Sequence, residues 1–362
     1  MDRLTEFEQR RLSLAAALPA AKVEALLVSS PASVRYLTDY SGSNGLLLLT
    51  RQEAHFFTDP RYAIEASHRV TGAAIHIAKR PLIQEAAALV KRKKLKKIGF
   101  EPAWMTVADH QVLKENSGLS ATLHAVKGLV EGLRAIKSAT EVSKIRKSVQ
   151  VNSEAYARTI ARIKPGMREQ EIAAELDFQM RVLGAEKPAF DTIVAAGARS
   201  ALPHAHPSQH RVVANELLLI DMGATLDGYT SDMTRVCYLG NPSRQVRQMY
   251  RAVLEAQLAA LDAVRSDVPV AKVDAAARKV LKQHGLEKEF VHSTGHGLGL
   301  EIHEAPRIAK KEKSKLRAGM VITIEPGAYV DGVGGIRIED TVLVTENGCQ
   351  ILTPTSKELT RL

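Results

Sequence analysis

VITIEPGAYVDGVGGIRIEDTVLV, residues 321–344, predicts two strands joined by a glycine-rich turn, with a glutamate on each strand. Glu325 is expected on the first strand and Glu339 on the second. Arg337 lies two residues before Glu339, and on a strand this spacing places both side chains on one face. A salt bridge at a sheet end would explain Arg337 alone, but it would leave Glu325 buried without a partner.

Two aspartates lie earlier in the chain, inside strand-like stretches. Asp221 ends the apolar run of LLLIDMG, residues 217–223, where a carboxylate must be paired, hydrogen-bonded or metal-bound. Asp232 follows a turn at Gly228 and Tyr229 and begins the next strand-like stretch. A hairpin would bring the two carboxylates side by side. Either aspartate alone would indicate only a turn or a helix cap.

A histidine-rich segment lies between these two groups of acids. VHSTGHGLGLEIHEAP, residues 291–306, places His292, His296 and His303 in a segment interrupted by glycines, which let a backbone approach a ligand closely. Neutral imidazole is the commonest metal donor, and a histidine that does not ligate can hold a substrate or a proton. A lone histidine would more often be structural, but three at this spacing favour a site.

The acids and histidines together predict a metal centre. Four carboxylates and at least one imidazole form an oxygen-rich set that suits Mn²⁺ or Co²⁺ at least as well as Zn²⁺. Two divalent ions ~3.5–4 Å apart would neutralise this charge and generate a nucleophile from a shared water at neutral pH. The set therefore predicts hydrolytic chemistry.

The order Asp, Asp, His, Glu, Glu in these surroundings resembles that of the creatinase-type, or pita-bread, metallopeptidases. Within that family it is most similar to aminopeptidase P and prolidase. The similarity covers roughly residues 133–352, and its motifs make a specific combination. They are KPAFDTIVAAGARSALPHAHPS (187–208), DMGATLDGYTSDMTRV (221–236), HSTGHGLGLEIHEAP (292–306), TIEPGAYV (323–330) and GGIRIED (334–340).

The fold that follows is α/β (α+β), with an amino-terminal creatinase-like α/β domain and a carboxy-terminal pita-bread catalytic domain. YLTDYSGSNGLLLL (36–49) and TDPRYAIEA (58–66) also resemble the amino-terminal domain of these enzymes. Gly128 and Gly132 interrupt the pattern before a long helix, which puts the boundary between domains 1–127 and 128–362.

Helical and strand-like patterns alternate in the first hundred residues and predict a mostly mixed sheet with helices against it. In the second half we expect helices at 140–163 and 168–183, then strands, two helical stretches before Phe290, and further strands. Strands are expected at residues 25–29, 45–49, 54–57, 74–78, 97–100, 191–196, 217–222, 233–239, 320–325, 336–339 and 341–344.

The resemblance implies a role for each metal ligand. Asp221 would chelate one ion, His296 and Glu325 the other, while Asp232 and Glu339 would bridge both. All five match the family pattern, which argues against the pseudo-enzymes and the metal-free creatine hydrolase of the same fold. The implied cofactors are two divalent ions per chain, with Mn²⁺ first and Co²⁺ or Zn²⁺ as alternatives.

The resemblance also implies catalytic or substrate-binding roles for five residues around the metals. His303 would contact the scissile carbonyl and steady the tetrahedral intermediate, and His204 would assist proton transfer. His292 would help shape a proline pocket. Glu325 is a candidate general base as well as a ligand, and Arg337 would contact the substrate or the bridging glutamate.

Other polar and aromatic residues receive lesser roles. Thr234 and Thr323 are expected to orient the metal-binding carboxylates. Phe190 and Tyr229 are expected to line the substrate pocket. His206 and His210 match no motif and are expected at the surface.

The predicted function is a metal-dependent Xaa-Pro peptidase in which a metal-bridged hydroxide attacks the bond before proline. The shorter chain and the YLTDYSGSNG stretch favour Xaa-Pro aminopeptidase, and Xaa-Pro dipeptidase (prolidase) is the alternative. Arg307 could bind a dipeptide carboxylate, although a solvated arginine is the more common arrangement. Methionine aminopeptidase, or a non-catalytic binding protein of the same fold, fits less well.

Composition excludes several other classes. The chain has 362 residues, of which 45% are hydrophobic and 25% charged, as in an ordinary globular protein. Its formal charge of +10 and the run KRKKLKK at 91–97 could suggest nucleic acid, but aromatic residues make up only 4%, so a solvated surface is favoured. Cys237 and Cys349 are too few for a disulfide framework.

The compartment and the assembly are also predicted. The opening MDRLTEFEQR has no apolar core typical of a secretory signal, and no apolar run reaches the ~20 residues of a membrane span. We therefore expect a cytoplasmic enzyme that binds neither membrane nor nucleic acid. The resemblance implies a homodimer, with proline-containing peptides as substrates.

Overall fold

The computed structural model describes residues 4–362, which divide into two compact units, one ending at Arg134 and the other spanning Ala135–Leu362. The sequence analysis places its boundary between residues 127 and 128. The segment predicted to be a simple joint contains a short helix, Leu129–Arg134, which begins after Gly128 in the left-handed region (φ 73°).

A mixed sheet forms the centre of the first unit, as predicted. Its strand order is β4-β3-β2-β1-β5-β6; β1 runs parallel to β5 and antiparallel to β2. The central strand β1 is buried along its whole length, which agrees with its purely apolar sequence. The strands are β1 Ala25–Val28, β2 Gly45–Thr50, β3 Ala54–Thr58, β4 Ala74–Ile77, β5 Lys97–Phe100 and β6 Thr122–Ala125.

Helices cover this sheet. α4 carries its apolar residues at helical spacing, and they pack with the sheet residues Leu27, Leu48 and Phe57 in one core. The basic run 91–97 includes the last turn of α4 and the start of β5 and is largely exposed, as expected for a solvated surface. The helices are α1 Glu6–Ala17, α2 Pro31–Thr38, α3 Ala63–Arg69, α4 Leu82–Arg92, α5 Val107–Asn116 and α6 Leu129–Arg134.

The second unit begins with the long helix that the sequence predicts. Ser138 caps it, and Ser138 and Glu141 form a reciprocal capping box that satisfies two free backbone amides. Among residues 4–362, no helix has both the length and the apolar character needed to span a bilayer. The helices of this unit are α7 Ala139–Ile160, α8 Glu169–Val182, α9 Arg244–Ala263 and α10 Val270–Gln283.

Several small sheets follow, with strand orders β11-β10-β7, β20-β12-β9-β8, β14-β13-β15-β18-β19 and β16-β17. The long pair β9 and β12 is antiparallel and buried throughout. The strands are β7 Lys187–Pro188, β8 Ile193–Ala196, β9 Leu217–Met222, β10 Ala224–Leu226, β11 Tyr229–Thr230, β12 Met233–Tyr238, β13 Gly295–Gly297, β14 Glu304–Ile308, β15 Val321–Ile324, β16 Gly327–Val330, β17 Gly334–Arg337, β18 Asp340–Val344, β19 Cys349–Ile351 and β20 Thr360–Arg361.

The stretch 321–344 corrects the sequence analysis in one respect. It forms four strands, whereas strands were expected only at 320–325, 336–339 and 341–344. β15 pairs with β18, and the unexpected strand β16 pairs with β17 in a separate sheet. Pro326 cannot donate to a ladder, and the chain changes sheets there. Glu325 and Glu339 therefore lie at breaks between strands rather than within them, where their side chains are free to turn toward one point.

Candidate metal centre

A cavity of about 640 Å³ in the second unit brings the predicted site together. It contains every residue to which the sequence analysis gives a catalytic, substrate-binding or metal-binding role. These are His204, Asp221, Asp232, His292, His296, His303, Glu325, Arg337 and Glu339.

The β9–β12 pair positions the two aspartates, as the predicted hairpin requires. Asp221 lies on β9 opposite Thr234, while Asp232 immediately precedes β12. β10 and β11 lie between the two strands in sequence and carry the connection away from the pair. Both carboxylates are buried, at 9% exposure for Asp221 and 5% for Asp232.

Two buried threonines orient the two glutamates, as the sequence analysis expects. Thr234 donates a hydrogen bond from Oγ1 to Glu339 Oε2 over 2.6 Å. Thr323 donates from Oγ1 to Glu325 Oε1 over 3.1 Å and accepts from the His296 amide over 3.1 Å. Each hydroxyl therefore fixes a carboxylate oxygen and leaves the other oxygen for a ligand.

His296 presents its ring to the carboxylates. Its Nδ1 lies 3.0 Å from the Gly297 carbonyl, which can only accept, so Nδ1 carries the proton and Nε2 has the lone pair. Nε2 lies 3.3 Å from Glu325 Oε1 and 3.5 Å from Asp232 Oδ2. The neighbouring glycines allow this position, because a Cβ on Gly295 would overlap the carbonyl of Thr323.

The donor set fits divalent metal ions. Ligand atoms of Asp232, His296 and Glu339 all lie within 4.8 Å of one another. Asp221 Oδ1 is buried and has no hydrogen-bond partner among residues 4–362, as expected for an oxygen reserved for a ligand. Without metal, burial followed by repulsion from neighbouring carboxylates raises the pKa of Asp232 and Glu339, and burial raises that of Glu325 to about 7. A divalent cation would supply the missing counter-charge.

Arg337 supplies positive charge from the protein itself. Its Nη2 donates to Asp221 Oδ2 over 2.6 Å, and its Nε donates to Thr234 Oγ1 over 3.0 Å. Thr234 in turn donates to Glu339, so Arg337 acts on that glutamate through the threonine hydroxyl. The resemblance offered a direct contact between Arg337 and the glutamate as one of two possibilities. The guanidinium is 3% exposed.

Tyr329 is a site residue that the sequence analysis missed. Its hydroxyl accepts from Arg337 Nη1 over 2.6 Å and lies 2.8 Å from His292 Nε2. His292 Nδ1 lies 2.8 Å from the Ser293 carbonyl, so Nδ1 carries the proton and Nε2 accepts from the tyrosine. The only sequence feature that could have indicated Tyr329 is its place as an aromatic residue in a glycine-rich stretch. In the structure that stretch is a hairpin in which Tyr329 lies opposite Gly335.

His303 and His204 face the cavity with exposed side chains. The His303 ring meets the His296 ring edge-on, with centroids 4.4 Å apart. Although the His303 side chain is exposed to the cavity, desolvation by the surrounding protein, followed by the neighbouring His296, lowers its pKa and favours the neutral imidazole. Both histidines are therefore accessible to a molecule that enters from solvent.

Four further residues were given lesser roles in the sequence analysis. Phe190 lines the cavity as predicted, whereas Tyr229 does not, because it is buried and donates its hydroxyl to Glu141 Oε1. His206 is exposed as predicted but also lines the cavity, which its sequence context did not indicate. Arg307 lines the cavity with an exposed side chain.

Comparison with known proteins places these features in a family. A family model described as metallopeptidase family M24 matches residues 143–346, and one described as the Creatinase/Prolidase N-terminal domain matches residues 10–136. The Xaa-Pro dipeptidase of Pyrococcus horikoshii is 36% identical over 338 residues, which cover 93% of this chain and 94% of that protein.

Solved structures agree. The Xaa-Pro dipeptidase from Bacillus anthracis superposes with a TM-score of 0.96 at 37% identity, covering 98% of this chain and all of the other. The X-Pro aminopeptidase from Thermotoga maritima gives a TM-score of 0.89 at 34% identity, covering 96% and 100%. The predicted fold, a creatinase-like domain followed by a pita-bread domain, is confirmed.

Proposed function

The chain belongs to metallopeptidase family M24, and we propose that it is a metal-dependent peptidase that cleaves Xaa-Pro dipeptides. The observation that carries the proposal is the convergence of four carboxylates and the Nε2 of His296 in one cavity beside accessible histidines. Buried acids in this number, with raised pKa values, are costly to the fold unless a cation binds them.

Five residues would hold the metal: Asp221, Asp232, His296, Glu325 and Glu339. Two divalent ions are proposed, with Mn²⁺ favoured by the oxygen-rich donor set and Co²⁺ or Zn²⁺ as alternatives. When bound, such ions lower the pKa of water and polarise a carbonyl oxygen. Thr234 and Thr323 keep the glutamates in the required orientation.

The remaining residues of the cavity act on the substrate. Glu325, which lines the cavity beside His296, takes a proton from the attacking water as well as binding metal. His303 donates a hydrogen bond to the carbonyl oxygen before proline, where negative charge develops. His204 assists transfer of a proton to the leaving nitrogen of proline, and His292 and Phe190 shape the pocket for its ring.

The preference for dipeptides rests on Arg307 and on the named relatives. Arg307 lines the same cavity as His303, and a guanidinium at this place can bind the carboxylate of a dipeptide in a bidentate pair. The Pyrococcus horikoshii and Bacillus anthracis relatives are both named Xaa-Pro dipeptidases. The sequence analysis favoured an aminopeptidase, and the dipeptidase alternative now has the better support.

Xaa-Pro aminopeptidase stays as the second candidate because the Thermotoga maritima relative carries that name at 34% identity. The two activities differ only in whether a residue after proline is accepted. The homodimer implied by the resemblance is also a prediction, which sedimentation analysis of the purified protein tests directly.

The deciding experiment is hydrolysis of Ala-Pro, Ala-Pro-Ala and Ala-Ala by protein stripped with a chelator and restored with Mn²⁺, Co²⁺ or Zn²⁺. Cleavage of Ala-Pro alone supports the dipeptidase, and cleavage of both proline peptides supports the aminopeptidase. Failure of every metal to restore proline-specific cleavage rejects the proposal. Arg307→Met should raise KM for Ala-Pro but not for Ala-Pro amide, whereas Arg317→Met, at an exposed position outside the cavity, should change neither.

A further inference from the structure

A buried ion pair, one member of which lines the cavity, has no role in the chemistry described above. Lys137 Nζ lies 3.1 Å from Glu304 Oε2, and the two side chains are 1% and 5% exposed. The ammonium also donates to the Ala135 carbonyl over 3.4 Å. Glu304 directly follows His303 and lines the cavity.

The second carboxylate oxygen of Glu304 holds the segment that carries His303. Glu304 Oε1 accepts from the Glu301 amide over 3.1 Å, and the Glu301 carbonyl accepts from the Gly299 amide over 3.0 Å. At its other end, the Gly299 carbonyl accepts from both the amide and the hydroxyl of Thr230. Segment 299–303 is therefore fixed at both ends, and Glu304 is the anchor on the carboxy-terminal side.

Lys137 is itself attached to the strand that leads to the metal site. Its amide donates to the Gly319 carbonyl over 2.9 Å, and the preceding residue, Ile136, forms a bridge with Met320. Met320 directly precedes β15, which ends one residue before Glu325. Lys137 therefore connects the segment with His303 to the strand that positions Glu325.

We propose that Lys137 is a positioning residue that acts through Glu304 to hold His303 toward the metal-binding carboxylates. The inference deepens the proposed function and rests on it for the role of His303. Replacing a buried ion pair by apolar residues is often neutral for stability, so stability alone does not require this pair. An apolar residue at position 304 could not accept the Glu301 amide, and the segment would lose its anchor.

The test compares Lys137→Met, Lys137→Arg and the double variant Lys137→Met with Glu304→Leu in the full-length, Mn²⁺-loaded protein. Lys147→Met, at an exposed position on α7, is the matched control. We expect Lys137→Met to lower kcat for Ala-Pro about 10- to 100-fold, the scale of a misplaced catalytic group. KM and the Mn²⁺ dissociation constant should stay within about twofold, Lys137→Arg should recover most of kcat, and Lys147→Met should match the wild type.

The double variant separates positioning from stability. It should melt near the wild-type temperature because no charge is left buried alone, yet its kcat should stay as low as in Lys137→Met. Recovery of kcat in the double variant would show that Lys137 serves stability only and would overturn the proposal. Parallel loss of Mn²⁺ affinity and kcat in Lys137→Met would overturn it as well.

Hydrogen exchange gives a readout that does not depend on activity. The peptide spanning 299–304 should exchange about 10-fold faster in Lys137→Met and in the double variant, since one hydrogen bond of ~1.4 kcal/mol changes an equilibrium by that factor. Unchanged exchange would overturn the proposal. A wild-type protein that cleaves no proline peptide would reject the proposed function, and the exchange experiment would then decide by itself whether Lys137 holds the segment.

Discussion

Arg337 donates a hydrogen bond to Asp221 over 2.6 Å, inside the cavity that also contains Asp232, Glu325 and Glu339. One guanidinium thus faces four carboxylates, three of which have raised pKa values because they are buried. Arg337 offsets part of this negative charge, and the rest creates the electrostatic demand for bound cations.

Arg337→Met should make the protein depend more strongly on metal. Removing one partner of a buried pair typically costs about 3–5 kcal/mol, so the metal-free variant should lose that much unfolding free energy. Added Mn²⁺ should raise its melting temperature more than that of the wild type, because four carboxylates then lack their protein cation. Calorimetry with and without Mn²⁺ measures both effects, and an equal Mn²⁺-induced shift in the two proteins would contradict the argument.

Thr234→Val should weaken metal binding without unfolding the protein. The valine keeps the shape of the side chain but loses the hydroxyl between Arg337 and Glu339. Loss of such an orienting group typically costs about 10- to 100-fold in metal affinity. Thr225→Val is the matched control, because the Thr225 hydroxyl is also buried and has no hydrogen-bond partner within the part of the chain that the structure describes. Titration calorimetry with Mn²⁺ should separate the two variants; equal affinities would refute the role of Thr234.

The chemistry of the site was more predictable than its local geometry. Asp221 could be identified because a carboxylate at the end of four apolar residues is costly, and this cost is visible in sequence. The strand breaks at Glu325 and Glu339 were less visible, because apolar alternation continues across them and only Pro326 marks the first. β15 pairs with β18 across the β16–β17 hairpin, so the local pattern could not show which of these strands share a sheet.

The residues missed by the sequence analysis share a physical reason. Tyr329 acts through its position between His292 and Arg337, and Lys137 acts through Glu304, at a sequence distance of 167 residues. Neither side chain belongs to a sequence pattern that indicates a role, and each acquires its role only through tertiary contacts. The reverse holds for Tyr229, which the sequence analysis assigned to the pocket wall but whose hydroxyl donates to Glu141.

His303→Leu should affect catalysis and leave the metal in place. The side chain is exposed to the cavity and is not among the proposed ligands, so Mn²⁺ content should be unchanged by elemental analysis. Loss of a hydrogen-bond donor to a developing oxyanion should lower kcat for Ala-Pro by about 10²–10³. His210→Leu, at an exposed position, is the control. A variant with full kcat would remove His303 from the mechanism.

His292 gives a pH-dependent prediction that can be made on the metal-free protein. Burial, followed by the charge of Arg337, lowers the pKa of His292 to about 4, against 6.5 for the free side chain. Between these values the unfolded chain binds more protons than the folded one. The contribution of a neutral His292 to stability is therefore fully present above pH ~6.5 and is lost as the pH falls toward ~4.

His292→Gln removes this titration while leaving an amide that can still bond to Tyr329. The wild-type advantage in unfolding free energy should therefore shrink by about 2 kcal/mol between pH 7.5 and pH 5, at ~1.4 kcal/mol per pH unit below 6.5. Urea denaturation in the presence of chelator measures, at each pH, the difference in unfolding free energy between the wild type and His292→Gln. His68→Gln, at an exposed position in the first unit, should differ from the wild type by the same amount at both pH values. A gap for His292→Gln that stays constant would mean that the imidazole is protonated in the folded protein at pH 5, and the hydrogen bond from Tyr329 to a neutral Nε2 would then be wrong.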